Sequence, residues 1–145
     1  MTTPTPIQKT LYTAHASAVG GREGHVKTDD GRIDLDVHMP KSMGGSGQTG
    51  TNPEQLFAAG YAACFGSAVG HIARMKKIDV GTVTIDADVS IGAIESGGFG
   101  LAVTLTARLP DLARPEAEAL VAAAHQVCPY SNATRGNIVV DVKVA

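Results

Sequence analysis

Apolar and polar side chains alternate from Ile33 to Met39: Ile33, Leu35, Val37 and Met39 are separated by Asp34, Asp36 and His38. A period of two predicts a strand with one buried face. The extended pattern begins near Leu11, and Asp30-Gly31, between Gly24–Thr28 and this strand, predicts a two-residue hairpin turn. Ala18 to Gly21 predicts a turn or bulge, which puts Arg22 beside a bend. After Asn52 the period changes. Leu56, Gly60, Cys64, Ala68 and Ile72 form one row at four-residue spacing, and Phe57, Tyr61, Phe65 and Val69 form the next. That is a helix apolar over most of its circumference, which belongs in the centre of a structure. Asn52 as N-cap, Pro53 at the first helical position and Gln55 in a capping-box position mark its start, while Lys76 and Lys77 mark its end. Val83–Ile94 and Phe99–Leu109 predict a hairpin turning at Ser96-Gly97-Gly98. A second helix runs from near Pro115 to Val127, its stripe formed by Ala117, Leu120, Val121, Ala124 and Cys128. Pro129 biases Cys128 out of helical geometry, so that helix should stop there. Ile138, Val140, Val142 and Val144 predict a last strand. The order βββ-α-ββ-α-β implies an α+β fold with a mostly antiparallel sheet.

Length changes the picture little: 145 residues predict a single domain, 1–145, with residues 1–10 a flexible or extended lead-in. A net charge of −2 gives no reason to expect nucleic acid or an anionic membrane as partner. Met1 to Pro6 has neither the basic nor the apolar part of a secretory signal, so the expected location is cytoplasmic. Leu56–Ala73 lacks Asp, Glu, Lys and Arg and reaches the length of a minimal membrane span. Its Ala and Gly content makes transfer to lipid weak, and a helix buried in protein is the expectation. The loop Lys41–Thr51 spaces Gly45 and Gly50 like a phosphate loop, but Thr51-Asn52 stands where the Lys and the Ser or Thr should follow. A lid or linker is the expectation for it.

The candidate chemistry lies in two cysteines, Cys64 and Cys128, one on each helical stripe. Inert core thiols are the competing reading, because Cys is among the most buried residue types. A metal site would have to gather Cys64, His71, His125 and Cys128 without any paired CxxC spacing, so no metal and no cofactor are expected. Two thiols in a cytoplasmic chain also suit a dithiol–disulfide cycle. That needs a thiolate, and burial raises a thiol's pKa. The helix dipole does not help, since it fades within the first turn and Cys64 lies about three turns beyond Asn52. A cation must approach the sulfur. Arg22, in Gly20-Gly21-Arg22-Glu23-Gly24, is the candidate, with Glu54 as the carboxylate offsetting its desolvation. Glu54 and Cys64 are separated by about 15 Å along one helix. One arginine touches both only by spanning most of that gap, by a helix bend, or across two chains. A homodimer with the site at or near the subunit boundary is therefore expected.

Three blocks resemble the organic hydroperoxide resistance (Ohr) branch of the OsmC-like proteins. They are Gly21-Arg22-Glu23-Gly24, Asn52-Pro53-Glu54-Gln55-Leu56-Phe57-Ala58-Ala59-Gly60-Tyr61-Ala62-Ala63-Cys64-Phe65, and Val127-Cys128-Pro129-Tyr130-Ser131-Asn132-Ala133-Thr134-Arg135-Gly136-Asn137. The likeness runs from about Leu11 to the C-terminus. It implies a thiol peroxidase built as an intertwined homodimer, with sheets wrapped around two central helices. It also implies that Cys64 is the peroxidatic cysteine and Cys128 the resolving one, with Arg22 and Glu54 activating the thiol. The implied substrates are alkyl or fatty-acid hydroperoxides in preference to hydrogen peroxide, and the implied reductant is a lipoylated protein or other dithiol. A broader OsmC-type peroxidase and a non-enzymatic dimeric binding protein with inert thiols are the alternatives.

Overall fold

The capping signals at Asn52 are realised in the computed structural model, which describes residues 3–145; Met1 and Thr2, part of the expected lead-in, lie outside the described residues. Asn52 Oδ1 accepts a hydrogen bond from the Gln55 backbone N–H at 2.8 Å, and helix α1 runs Pro53–Met75. Gln55 does not complete the capping box, because its side chain accepts from the Thr51 hydroxyl at 3.0 Å. The contacts of the chain gather into two compact units, one ending at Leu56 and one covering Phe57–Ala145.

The first unit is an antiparallel sheet of β1 (Ala16–Val19), β2 (Gly24–Thr28) and β3 (Asp34–Val37), in that order. The turn after β2 is longer than the two residues expected at Asp30-Gly31. The Thr28 N–H still reaches the Ile33 carbonyl at 2.8 Å, and Asp30 Oδ1 accepts from the Thr28 hydroxyl and the Arg32 N–H. Of the expected buried face of β3 only Val37 is buried, while Ile33 and Leu35 are exposed. Alternation marks a face able to be buried, and this unit has no long helix of its own to cover it. The glycine-rich loop opens on a 3-10 turn, Lys41–Met43, and returns to β3, where the Thr51 N–H donates to the Asp36 carbonyl at 2.8 Å.

The second unit holds the core. β4 (Thr84–Ala93) and β5 (Phe99–Arg108) form the expected antiparallel hairpin, turning through Gly97 and Gly98 at φ +88° and +87°. Helix α2 is Arg114–Val127, and its predicted stripe Ala117, Leu120, Val121, Ala124 and Cys128 is buried. β6 (Val139–Val144) pairs with β5 in parallel. Alternation cannot show that direction; the helical crossover between the two strands allows it. A third helix, α3 (Pro129–Thr134), is an addition to the expected order. Pro129 ends α2 and at the same time starts α3, as proline does well at a first helical position.

Tyr61, Phe65, Val69 and Ile72 of α1 pack with Val103 and Leu105 of β5 and Leu120 and Val121 of α2. Full burial of each large apolar side chain contributes about 1.5–3 kcal/mol. By length and composition α1 could cross a membrane, but its buried face belongs to this core. Its opposite face, including Ala63, Ser67 and His71, is exposed, so the helix is less enclosed than its apolar circumference suggests.

Candidate active site

In the first unit, Arg22 sits on the turn between β1 and β2. Gly20 and Gly21 hold φ of +80° and +60°, and the Glu23 N–H closes the turn on the Gly20 carbonyl at 3.1 Å. The chain doubles back so tightly that a Cβ on Gly24 would lie 1.8 Å from the Val19 carbonyl oxygen. Arg22 grips Glu54 with both ends of its guanidinium, Nη1 to Oε2 at 2.9 Å and Nη2 to Oε1 at 2.6 Å. This is the strong, two-pronged form of a charge-assisted bond, and both partners are partly shielded from water. Sequence reasoning missed the brace beside it. Glu23 accepts the Met39 N–H at 3.0 Å and pairs with His38 Nδ1 at 2.8 Å, tying the arginine's turn to the end of β3.

The hydrogen bond to Arg22 holds the Glu54 carboxyl below its ordinary 4.5, with desolvation opposing. A carboxylate whose folded pKa is lowered stabilises the fold above its unfolded pKa, and that stability is lost as pH falls through the folded value. The stability difference between wild type and Glu54→Gln should therefore be constant above about pH 4.5 and shrink at more acid pH. Urea unfolding at fixed protein concentration measures it. Glu23, held low chiefly by His38, contributes to both proteins and drops out of the difference. A difference that grows on acidification would contradict the pairing.

In the second unit, α1 presents Cys64 and the α2–α3 joint presents Cys128. Both are free thiols, and the Cys128 Sγ donates to the Cys64 Sγ across 3.5 Å. A disulfide has S–S of about 2.05 Å, so a movement of about 1.5 Å closes it. Cys128 is fully buried and Cys64 is partly exposed. Burial pushes the Cys64 thiol up and the neighbouring Cys128 adds to this, while the Tyr130 backbone N–H, aimed at the sulfur, opposes them. The groups of this unit thus act, on balance, against a thiolate at Cys64.

Phe57, Tyr61 and Tyr130 form an aromatic cluster on this side of α1, with ring centroids 5.6–6.2 Å apart. Gly60 makes room for it, since a Cβ there would stand 2.7 Å from the Tyr130 hydroxyl. Below it lies a buried polar network of Tyr61, Ser131, Thr134 and His125 that sequence reasoning did not anticipate. Its signal was the phenol of Tyr61 in an apolar row, because a buried Tyr hydroxyl demands a partner. His125 spends Nδ1 on Ser131, and among the described residues no three His, Cys, Asp or Glu side chains are placed to hold a metal. Open clefts of about 430 Å³ beside Arg108 and Arg114, and about 600 Å³ under the β4–β5 turn, are lined by neither cysteine.

Residues 44–143 match the family model described as OsmC-like protein. The chain is 52% identical over 139 residues to the organic hydroperoxide resistance protein of Xanthomonas axonopodis pv. citri, covering 95% of this chain and 97% of the relative. It is 54% identical over 135 residues to the organic hydroperoxide resistance protein OhrB of Bacillus subtilis, covering 92% and 96%. The crystal structure of an organic hydroperoxide resistance protein from Elizabethkingia anophelis superposes with a TM-score of 0.91 at 54% identity, over 95% of this chain and 99% of that one.

Proposed function

The chain belongs to the OsmC-like protein family, in its organic hydroperoxide resistance branch, and from that premise we propose that it is a thiol peroxidase reducing organic hydroperoxides to alcohols. The observation that carries the reading is the pair of free sulfurs 3.5 Å apart, one partly exposed and one buried. The Cys64 thiolate attacks the distal oxygen of the hydroperoxide. An S–O bond forms, the O–O bond breaks, and the alkoxide leaves as alcohol after taking a proton, with Cys64 now a sulfenic acid. The Cys128 sulfur then displaces the hydroxyl group, which departs with the Cys128 proton as water, and an S–S bond remains. A dithiol, a lipoylated protein in this reading, attacks that disulfide, restores both thiols and leaves as its own disulfide.

Arg22, held by Glu54, is the cation proposed to keep the Cys64 sulfur ionised. Support comes from need as well as from the two-pronged grip: burial and Cys128 push that thiol up, and one backbone amide alone opposes them. Tyr130, whose N–H is aimed at the Cys64 sulfur, packs its ring against Phe57, and this aromatic pair favours an alkyl or fatty-acid chain on the peroxide. Phe65, on the same helix as Phe57, is fully buried in the core and offers no surface to a substrate.

Assembly as a homodimer belongs to the same reading. Leu11 is 89% exposed, Phe99 78% and Val139 75%, and the Ile33–Leu35 face of β3 is uncovered. Apolar surface on this scale calls for a partner, and a second copy satisfies it symmetrically. Sedimentation as a monomer at micromolar concentration would count against this part.

The activity is tested by turnover of tert-butyl hydroperoxide and hydrogen peroxide, each coupled to a dihydrolipoyl reductant. Burial of each CH₂ contributes about 0.8 kcal/mol, so the organic substrate should be favoured by about tenfold or more in kcat/KM. Equal turnover of the two would point to a broader OsmC-type peroxidase. Absence of turnover, with Cys64 alkylated no faster than a free thiol, would leave a binding protein with inert thiols.

A further inference from the structure

Cys128 is the one non-helical residue between α2 and α3, with φ −63° and ψ 124°. A single joint of this kind is free to swing, and a swing would carry the buried sulfur away from Cys64. Four polar side chains cross the joint. Tyr61, on α1 three residues before Cys64, reaches Ser131, on α3 three residues after Cys128, hydroxyl to hydroxyl at 2.8 Å. The same Tyr61 hydroxyl meets Thr134 Oγ1 at 3.1 Å, and His125 Nδ1 on α2 meets Ser131 Oγ at 2.7 Å. Tyr61 and Ser131 have no exposed surface and Thr134 has 4%.

One proton assignment satisfies every hydroxyl. Thr134 donates to the Ser131 carbonyl at 3.3 Å, Tyr61 donates to Thr134, Ser131 donates to Tyr61, and the His125 N–H donates to Ser131. Burial, with the charge of Arg135, pushes the His125 pKa down, which suits a neutral ring in this role. No buried side-chain polar atom among the described residues lacks a partner. The network therefore cross-links the three helices that meet at the sulfurs, one helical turn from each.

We propose that Tyr61, Ser131, Thr134 and His125 are positioning residues for disulfide closure: they hold Cys128 in line with Cys64 and so decide whether a sulfenic acid closes or is oxidised further. This rests on the peroxidase reading above. The network does not bear on the first chemical step, in which Cys64 alone meets the peroxide. In the second step the Cys128 sulfur must travel from 3.5 Å to bonding distance along one line, with the hydroxyl leaving opposite. If closure is slow, a second hydroperoxide oxidises the waiting sulfenic acid to sulfinic acid and is itself reduced to alcohol.

The test follows both steps by rapid mixing of the full chain with one equivalent of tert-butyl hydroperoxide, then with an excess. Tyr61→Phe and Thr134→Val remove a hydroxyl at nearly constant volume, and Thr134→Ser keeps one. In the first two variants, sulfenic acid formation should stay within about twofold of wild type while disulfide closure slows about tenfold or more. Sulfinic acid, read by mass as a gain of two oxygens, should then build up at lower peroxide. Thr134→Ser should close at close to the wild-type rate. Unchanged closure in Tyr61→Phe and Thr134→Val would overturn the inference, as would equal slowing of both steps, which marks general loosening. Wild type that forms no Cys64–Cys128 disulfide would defeat the peroxidase reading itself, and this inference with it.

Discussion

Replacing Cys64 by Ser should reduce hydroperoxide turnover to background, whereas Cys128→Ser should react once and stall. The asymmetry follows from where the sulfurs sit. Cys64 is partly open to an incoming peroxide, and the Tyr130 N–H aimed at its sulfur favours negative charge there. Cys128 has no exposed surface and meets peroxide only through Cys64. A serine at 64 offers a hydroxyl that stays protonated and attacks O–O bonds far more weakly than a thiolate. A serine at 128 leaves the first step in place and removes the partner for S–S formation. Without reductant, wild type should consume one equivalent of hydroperoxide per site and end as a disulfide. Cys128→Ser should consume one and end as a trappable sulfenic acid. Sustained turnover by Cys64→Ser, or wild-type cycling by Cys128→Ser with a dihydrolipoyl reductant, would reverse the assigned roles.

Arg22→Ala should lower the rate of Cys64 with hydroperoxide at neutral pH by about a hundredfold, the loss of roughly 2.7 kcal/mol of preferential stabilisation of the thiolate. The argument begins from a handicap: burial and the Cys128 thiol hold Cys64 above its ordinary value. A thiol so placed is ionised in only a small fraction of molecules at pH 7, and rate follows that fraction. A guanidinium restores it if kept partly dehydrated, which the clasp of Glu54 allows. The measurement is the pH profile of Cys64 alkylation. Its midpoint should rise in Arg22→Ala, and the rate should recover in alkali. Arg22→Lys should fall between, since an ammonium keeps the charge but loses the two-pronged hold on Glu54. An unmoved profile in Arg22→Ala would remove Arg22 from the chemistry while leaving the two cysteines in it.

Local signals were read well where a few neighbouring residues settle the outcome. Asn52-Pro53 starts α1, the Ala117–Cys128 stripe faces the core, and Gly97-Gly98 turns the β4–β5 hairpin. Each depends on backbone preference or on a period. Local patterns decide less where distant residues take part. Ile33 and Leu35 alternate correctly yet stay exposed, because burial needs a covering layer. β6 alternates like any strand, but its parallel pairing depends on a helical crossover. Pro129 ends α2 as expected, and its fixed φ equally suits the start of α3, a helix that the expected order did not include.

The candidate site divides in the same way. Arg22, Glu54, Cys64 and Cys128 were legible as residue types whose chemistry demands a partner, and the structure joins Arg22 to Glu54 and Cys64 to Cys128. Glu23, His38, Ser131 and Thr134 carry ordinary surface chemistry in sequence. They become informative only through partners 15, 16, 70 and 73 positions away.

By itself the sequence determined the order of the strands and the two long helices, both ends of the longer one and the two thiols open to redox chemistry, since these follow from propensity, periodicity and reactivity within short windows. Tertiary structure alone decided the 3.5 Å separation of the sulfurs, the rise in the Cys64 pKa and the hydroxyl network that pins them. Distance, dielectric and hydrogen-bond satisfaction arise between segments far apart in the chain, and no local window contains them.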